Sequence, residues 1–317
     1  MLRRLGSRTY RQYKSSDSKF KSFNFPLILG ELLTIRVIKA NGRVEEFQPR
    51  KIRRTLLRAG VGKETSRKII EKIEGIIYDG ITTEEILKRV KALIPKQEIQ
   101  AAIRYDLKAA ITRLGPTGFP FETFVAEILE HYGYRTKLRT FVKGRCVRHE
   151  IDVIAERTNG ALKRCMVECK FHNQLGGYID LKDVLYTYAR FLDLNEGSVI
   201  GKGNRFDEAW MISNTRASPE AKRYASCRGL KLLCWRYPTS GGLEKMIEEK
   251  KLYPVTILPS VDKDTLDKLF TANIMLAKDF VTHDASYMDK TGLTKEKLEK
   301  LVSEAKQLFS KPLTKPY

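Results

Sequence analysis

The chain has 317 residues, 42% of them hydrophobic, so it is long enough for two or three domains that each bury a core. Its longest apolar run falls well short of the roughly 20 residues that cross a bilayer, which excludes a membrane protein. The 59 lysines and arginines exceed the 38 aspartates and glutamates, and the resulting charge of +21 favours a polyanionic partner such as nucleic acid or nucleotides. A lysine-rich thermophile surface is the alternative explanation of this charge.

The cysteines and the first 33 residues bear on the cellular compartment. Five cysteines without a C-x-x-C pair support neither a disulfide framework nor a zinc ribbon, so we expect reduced thiols in a cytoplasmic protein. Residues 1–33 are rich in arginine and serine and poor in acid, and we interpret them as a basic, disordered N-terminal extension. An organelle transit peptide and an over-extended start of the reading frame have the same composition.

The next segment, 34–60, predicts a β-hairpin that leads into a helix. Asn41-Gly42 lies between two alternating runs, and both residues tolerate positive φ, which is typical of a hairpin turn. Pro49 then begins an amphipathic helix rich in lysine and arginine, where cations and free backbone N–H groups could bind a phosphate. Further helices are predicted around 64–77, after a cap at Thr82 or Thr83, and over 97–115.

Residues 34–115 form one predicted domain, which contains the runs VIKANGRVEEF and YDGITT and the pair Lys51-Ile52. By these residues it resembles the ATP-cone domain that senses ATP or dATP in ribonucleotide reductases and their transcriptional repressors, and the resemblance implies ATP or dATP as an effector. The residues it assigns to the nucleotide are Lys39, Glu45, Gln48, Lys51 and Thr83, with the two lysines on the phosphates. The family usually has a second basic residue after the first lysine; here that position is Ala40, which weakens the inference of tight triphosphate binding, and Arg43 across the turn is a candidate substitute. The alternative is a basic module that no longer binds nucleotide.

Residues 116–240 predict a second domain in which charged residues lie on apolar strands. After a Gly/Pro linker at 115–120 and a helix that ends at Gly133, the chain contains the runs HEIDVIAE and RCMVECKFH. Period 2 places Glu168 and Lys170 on one face, and if the two strands are neighbours, Asp152 converges with them at one end of the sheet. Buried charges are costly unless a metal ion or a partner compensates for them, so the cluster predicts a divalent-metal site.

The predicted cluster suits phosphodiester hydrolysis. Asp152, Glu168 and the backbone carbonyl of Cys169 would hold Mg2+ or Mn2+, which lowers the pKa of a bound water and offsets charge in the transition state. Lys170 would orient that water or help to deprotonate it. An ion-pair network without catalysis is the alternative.

The order of these residues resembles the PD-(D/E)XK nuclease superfamily, nearest to Mrr-like restriction endonucleases and archaeal Holliday-junction resolvases. The residues that match its motif are Glu122 on the helix, Asp152 on the first strand, and Glu168 and Lys170 on the second. Glu127 is the alternative to Glu122. The resemblance implies cleavage of double-stranded or branched DNA and a homodimer, and it extends to a later strand, helix and strand within AWMISNTRASPEAKRYASCRGLKLLCWRYP.

The same periodicities assign two buried faces. On the first strand, Ile151 and Val153 share the side opposite Asp152. A helix over 176–192 is expected to face the sheet with Leu181, Leu185, Tyr188 and Leu192. His172 shares a face with Lys170, where it is either a surface residue or a contact to the scissile phosphate.

The tail, 241–317, predicts short helices joined by tight turns. It resembles tandem helix-hairpin-helix repeats, and KTGLTKEKLEKL retains one hairpin glycine, Gly292. Because the segment is nearly neutral, a structural or protein-contact role is as well supported as DNA binding. The predicted fold class is therefore α/β, with a small α+β nucleotide-binding domain, a restriction-endonuclease-like α/β/α domain with a mixed sheet, and an all-α tail.

These observations together predict a metal-dependent DNA endonuclease, regulated by ATP or dATP at its N-terminal domain. The alternative from another class is a nucleotide-responsive DNA-binding regulator that does not cleave. RNA is a further candidate substrate, because phosphate contacts serve both nucleic acids.

Overall fold

The computed structural model describes residues 34–40, 42–95, 98–157, 163–174, 176–282 and 289–310. Its first part is a small α+β unit with a three-stranded sheet in the order β2-β1-β3, in which β1 pairs antiparallel with β2 and parallel with β3. The strands are β1 (Arg36–Ile38), β2 (Val44–Glu46) and β3 (Ile81–Thr82). The helices are α1 (Pro49–Ala59), α2 (Lys63–Glu74), α3 (Thr83–Leu93), α4 (Ile99–Tyr105) and α5 (Leu107–Thr112).

Local sequence explains the turns of this unit. Gly42 has φ +77°, and its amide donates a hydrogen bond of 2.9 Å to the Lys39 carbonyl, which closes the predicted hairpin. Asn41 lies outside the described residues. The Thr82 hydroxyl accepts a hydrogen bond of 3.1 Å from the Glu85 amide, so Thr82 is the cap of α3.

The second part is built on a five-stranded mixed sheet in the order β10-β8-β6-β5-β4. Strand β5 is antiparallel to both of its neighbours, β4 and β6, whereas β6, β8 and β10 run parallel to one another. The strands of this sheet are β4 (Tyr134–Lys143), β5 (Arg148–Arg157), β6 (Arg164–Lys170), β8 (Glu208–Ser213) and β10 (Lys231–Leu233). Two short strands, β7 (Tyr178–Ile179) and β9 (Arg216–Ala217), form a separate parallel pair.

Helices cover both faces of the mixed sheet, as an α/β/α layer structure requires. They are α6 (Phe119–His131), α7 (Leu181–Val199) and α8 (Pro219–Arg228). Phe124 of α6 packs in one core with Val153 and Val167, while Met166 packs in a second core with Val184 of α7. The mixed sheet expected from the sequence is confirmed.

The tail helices are not a separate body. They are α9 (Leu243–Lys250), α10 (Lys263–Thr271), α11 (Asp279–Thr282) and α12 (Lys295–Phe309). Leu269, Leu301 and Leu308 are buried in the same core as α6, so the tail packs against one face of the sheet domain. Gly292, with φ +62°, lies in the turn before α12. Within the described ranges, no helix is both long and apolar enough to span a membrane.

Both predicted face assignments are wrong in part, although Tyr188 of α7 packs against the core as expected. Leu181, Leu185 and Leu192 are exposed, and α7 instead buries the series Val184, Thr187, Arg190 and Leu194. On β5, Ile151 packs in the core on the α7 side and Val153 in the core on the α6 side, although period 2 predicts a shared side. The alternation of side chains along β5 is interrupted at Asp152. On the paired strand β4 the residue at this level is Arg139, a non-glycine residue with φ +43°.

An aspartate on α7 ties this helix to the loop between β4 and β5. The carboxylate of Asp193 accepts hydrogen bonds of 2.8 Å from the Cys146 amide and of 2.8 Å from the His149 ring. Burial opposes ionisation, but these hydrogen bonds prevail and lower the pKa of Asp193 to about 2.

We therefore expect Asp193→Asn to lower the free energy of unfolding at pH 7 by about 1 to 3 kcal/mol, the range for hydrogen bonds to a charged group. Because the folded-state pKa is depressed, this contribution is complete above the unfolded pKa and is lost as pH falls from about 4 towards 2. Urea unfolding at pH 7, 4 and 2.5 measures it, with the exposed Asp264→Asn as the control. A difference between wild type and variant that stayed constant across this range would contradict the assignment.

Candidate active site

Two carboxylates meet at one end of the paired strands β5 and β6. The antiparallel register sets Val153 opposite Val167, so the next residues, Asp152 and Glu168, emerge side by side. Asp152 Oδ2 accepts a hydrogen bond of 2.7 Å from the Cys169 amide, which fixes this carboxylate against β6. The adjacency on which the predicted site depends is therefore present.

The electrostatics of this pair favour a nearby cation. Burial raises the pKa of Glu168, and the negative charge of Asp152 raises it further. Burial also raises the pKa of Asp152, although the Cys169 amide hydrogen bond opposes this shift. Each carboxylate is thus desolvated next to another negative charge, and positive charge placed between them would stabilise the ionised forms.

The third acid, Glu122, approaches from α6. It forms an ion pair of 3.3 Å with Arg139, and burial followed by the charge of Asp152 raises its pKa. Glu127, the alternative on the same helix, lies towards the tail: burial raises its pKa to about 7, and the charge of Asp279 contributes. The helix acid close to Asp152 is therefore Glu122.

The direct ion-pair partner of Lys170 is Asp183 rather than Glu168, the acid that the Glu-x-Lys spacing places beside it. Its ammonium group forms an ion pair of 3.1 Å with Asp183, which also belongs to the capping box at the start of α7. Lys170 is close enough to Glu168 for its charge to lower the pKa of that carboxyl. The lysine thus lies beside the carboxylates and is oriented by the helix.

A buried arginine that sequence reasoning missed neutralises Glu168. Arg190 of α7 is 8% exposed, forms an ion pair with Glu168 and donates to the Glu150 carbonyl. Its Nε is buried without a hydrogen-bond partner in the described part of the chain. The helical series Val184, Thr187 and Arg190 was the available signal, but the more apolar leucine series suggested the opposite face.

His172 is held in place behind Lys170. Its ring Nδ1 lies 3.1 Å from the Thr215 hydroxyl, and the Asn214 side chain bonds both its amide and its carbonyl, at 2.9 and 2.8 Å. Burial lowers the pKa of His172, and the charge of Lys170 lowers it further. These bonds link the end of β6 to the residues that follow β8.

The donors fit a hard divalent cation in chemistry but do not form a tight three-ligand cluster. Across the described residues, no three side chains from His, Cys, Asp and Glu come close enough to hold an ion together. Asp152, Glu168 and the Cys169 carbonyl are oxygen donors of the kind that Mg2+ prefers, and the carboxylates are buried and mutually repulsive. Arg190 competes with such an ion for Glu168.

Four of the six predicted nucleotide residues line a cavity of about 370 Å³. They are Lys39, Gln48, Lys51 and Thr83. Neither Arg43 nor Glu45 belongs to the described lining, but the Glu45 carboxylate pairs with Lys51 at 3.0 Å and with Lys39 at 3.4 Å. The two lysines expected on the phosphates therefore face one cavity and share one counter-ion.

Comparison with known proteins gives the same domain order. Residues 35–108 match the family model of the ATP cone domain, 116–235 that of a restriction endonuclease, and 253–309 that of the AF1548-like C-terminal domain. An uncharacterized protein of Archaeoglobus fulgidus is 42% identical over 185 residues, which cover 58% of this chain and 99% of the relative. The chain belongs to the AF1548-like family.

Two solved structures are similar to this AF1548-like chain. The crystal structure of AF1548, a protein of unknown function, is 41% identical, with a TM-score of 0.52 over 61% of this chain and 98% of that chain. The MspJI restriction endonuclease in complex with a 27-mer oligonucleotide is 12% identical, with a TM-score of 0.33 over 76% of this chain and 48% of that chain. The predicted likeness to an ATP cone followed by an Mrr-like restriction endonuclease domain is confirmed by the family matches.

If Arg190 neutralises Glu168, then the two residues are energetically coupled. We expect Arg190→Met to lower the free energy of unfolding at pH 7 by about 3 kcal/mol, because it leaves a buried carboxylate unpaired. Adding Glu168→Gln should recover more than half of that loss, which a double-mutant cycle in urea measures. The exposed pair Arg223 and Glu220 is the matched control and should couple by less than about 1 kcal/mol. Additive effects of the two buried substitutions would refute the coupling.

Proposed function

We propose that the protein is a Mg2+- or Mn2+-dependent endonuclease that hydrolyses phosphodiester bonds in double-stranded or branched DNA. The observation that carries the proposal is the half-buried Asp152–Glu168 pair on adjacent strands, with Lys170 beside it, in the domain that matches a restriction endonuclease. ATP or dATP bound to the cone domain is proposed as the effector, supported by the cavity that Lys39 and Lys51 share.

Each side chain has a role that its surroundings allow. Asp152 and Glu168 would hold the ion, with the Cys169 carbonyl as a third oxygen donor. A bound divalent ion would supply a Lewis acid that offsets charge on the phosphate in the transition state. Lys170, which is half-exposed and oriented by Asp183, would donate a hydrogen bond to a phosphate oxygen or to the attacking water.

The remaining two residues adjust charge at the site. Glu122 would orient the nucleophilic water from the α6 side. It lies close enough to Asp152 for the charge of that carboxylate to raise the pKa of Glu122. Arg190 limits the rise in the pKa of Glu168, because its positive charge partly offsets burial and the charge of Asp152. It is a positioning residue rather than one that contacts substrate.

A second function, a nucleotide-responsive DNA-binding regulator that does not cleave, is supported by one observation. The Arg190–Glu168 ion pair provides the positive charge that an ion would otherwise bring, so the carboxylates are already partly compensated. The net charge of +21 suits DNA binding in both functions. We place either activity in the cytoplasm, since the five cysteines are free thiols.

Cleavage separates the two functions. Purified protein incubated with plasmid, flap and junction DNA should cut in Mg2+ or Mn2+ and not in EDTA. Lys170→Ala should reduce the cleavage rate by about 100-fold or more while DNA affinity changes little, because one general acid–base group is lost. Lys163→Ala is the matched control: it removes the same charge from the residue before β6, where Lys163 pairs with Glu208.

Wild-type protein that binds these DNAs but cuts none of them, with either metal, would replace the nuclease by the regulator. Full cleavage by Lys170→Ala would remove this lysine from the mechanism. Cleavage of the equivalent RNA in preference to DNA would change the substrate class.

A further inference from the structure

The cavity that faces the cone's lysines has a second wall from a different domain. Lys39 and Lys51 line it on the cone side. On the other side it is lined by Arg216 of β9 and by Trp235 and Arg236, which follow β10. A ligand in this cavity would therefore touch both the ATP-cone unit and the restriction-endonuclease-like unit.

Cations from both walls interact across this space. Lys108 of α5 also lines the cavity and is largely buried. Burial, followed by the positive charges of Arg216, Arg236 and Lys39, lowers the pKa of Lys108 to about 8, although the charge of Glu244 opposes this shift. The three side chains are thus near enough to Lys108 to repel it, although they come from separate parts of the chain.

Seven lysines and arginines line the cavity together with five acids, Glu46, Glu84, Asp106, Glu244 and Glu248, so only part of its positive charge is neutralised by the protein. Glu244 accepts two hydrogen bonds from Arg236, at 2.6 and 2.8 Å, and also pairs with Arg58 of the cone at 3.0 Å. No ion pair of Lys108 or Arg216 with a carboxylate is found among the described residues. Repelling cations in a partly desolvated cavity favour a multiply charged anion.

The size of the cavity selects the class of anion. About 370 Å³ falls within the range of small-molecule and cofactor sites and admits a nucleotide. A nucleoside triphosphate carries several adjacent negative charges, which match cations spread over two walls. Arginine in particular binds phosphate oxygens through its planar pair of N–H donors.

We propose that Lys108 and Arg216 are phosphate-binding residues for a nucleoside triphosphate whose other phosphate contacts are Lys39 and Lys51. The restriction-endonuclease-like domain then completes the nucleotide site through Arg216, and Arg236 adds positive charge behind it. This inference rests on the proposed binding of ATP or dATP by the cone domain. The bound nucleotide would bridge the cone and the restriction-endonuclease-like domain.

Calorimetric titration of the full-length protein with ATP, dATP, tripolyphosphate and adenosine, without DNA, tests the proposal. Arg216→Ala should raise the Kd for ATP and dATP about tenfold or more, the effect of losing one charge-assisted contact. Lys108→Met should do the same and should remain folded, since it removes a poorly solvated charge. Arg223→Ala, a matched loss of one exposed arginine on α8 outside the cavity, should leave the Kd unchanged.

Three results would overturn the proposal. If Arg216→Ala and Lys108→Met bind ATP and dATP like wild type while Lys51→Ala does not, the cone binds the nucleotide alone. If wild type binds neither the nucleotides nor tripolyphosphate, the cone's effector role is lost as well. If a short DNA duplex displaces ATP from this cavity, the cations serve DNA instead. DNA cleavage and its loss in Lys170→Ala are measured separately, so a failure here is distinguishable from failure of the nuclease.

Discussion

The repulsion between two half-buried carboxylates is the constraint on which the candidate site depends. Asp152 and Glu168 lie on adjacent strands, where burial raises the pKa of both and the charge of Asp152 raises that of Glu168 further. The Cys169 amide compensates the first, and the Arg190 guanidinium the second. Arg190 belongs to α7, whose buried face also carries Val184, Thr187 and Leu194.

A second consequence is that the candidate site depends on elements far apart in sequence. α6 contributes Glu122, β5 and β6 contribute the carboxylate pair, and the start of α7 holds Lys170 through Asp183. The tail helices pack in the same core as α6, so they support the element that carries Glu122. On the opposite side, Glu244 joins Arg58 of the cone to Arg236 of the sheet domain. The domains therefore share contacts at both the core and the cavity.

Sequence reasoning succeeded where the deciding interaction is local. The hairpin follows from a glycine that adopts positive φ, α1 begins at a proline, and α3 begins at a threonine cap. Strand alternation holds over β6, where Glu168 and Lys170 lie close enough for the charge of the lysine to lower the pKa of the glutamate. The prediction from strand alternation failed for β5, because the alternation is interrupted at Asp152. This residue lies opposite Arg139, whose backbone is in the left-handed region.

The amino-acid sequence by itself determined the domain order, the mixed α/β class and the candidate acids and lysine, because motif spacing and hydrophobic periodicity are local properties of the chain. Only the tertiary structure decided which cation neutralises Glu168, which acid orients Lys170 and which arginines of the sheet domain face the cone's cavity. Local patterns do not identify the partners of Arg190, Asp183 and Arg216. Their importance comes from Coulombic interactions, which depend on distances in space that the linear order of residues does not specify.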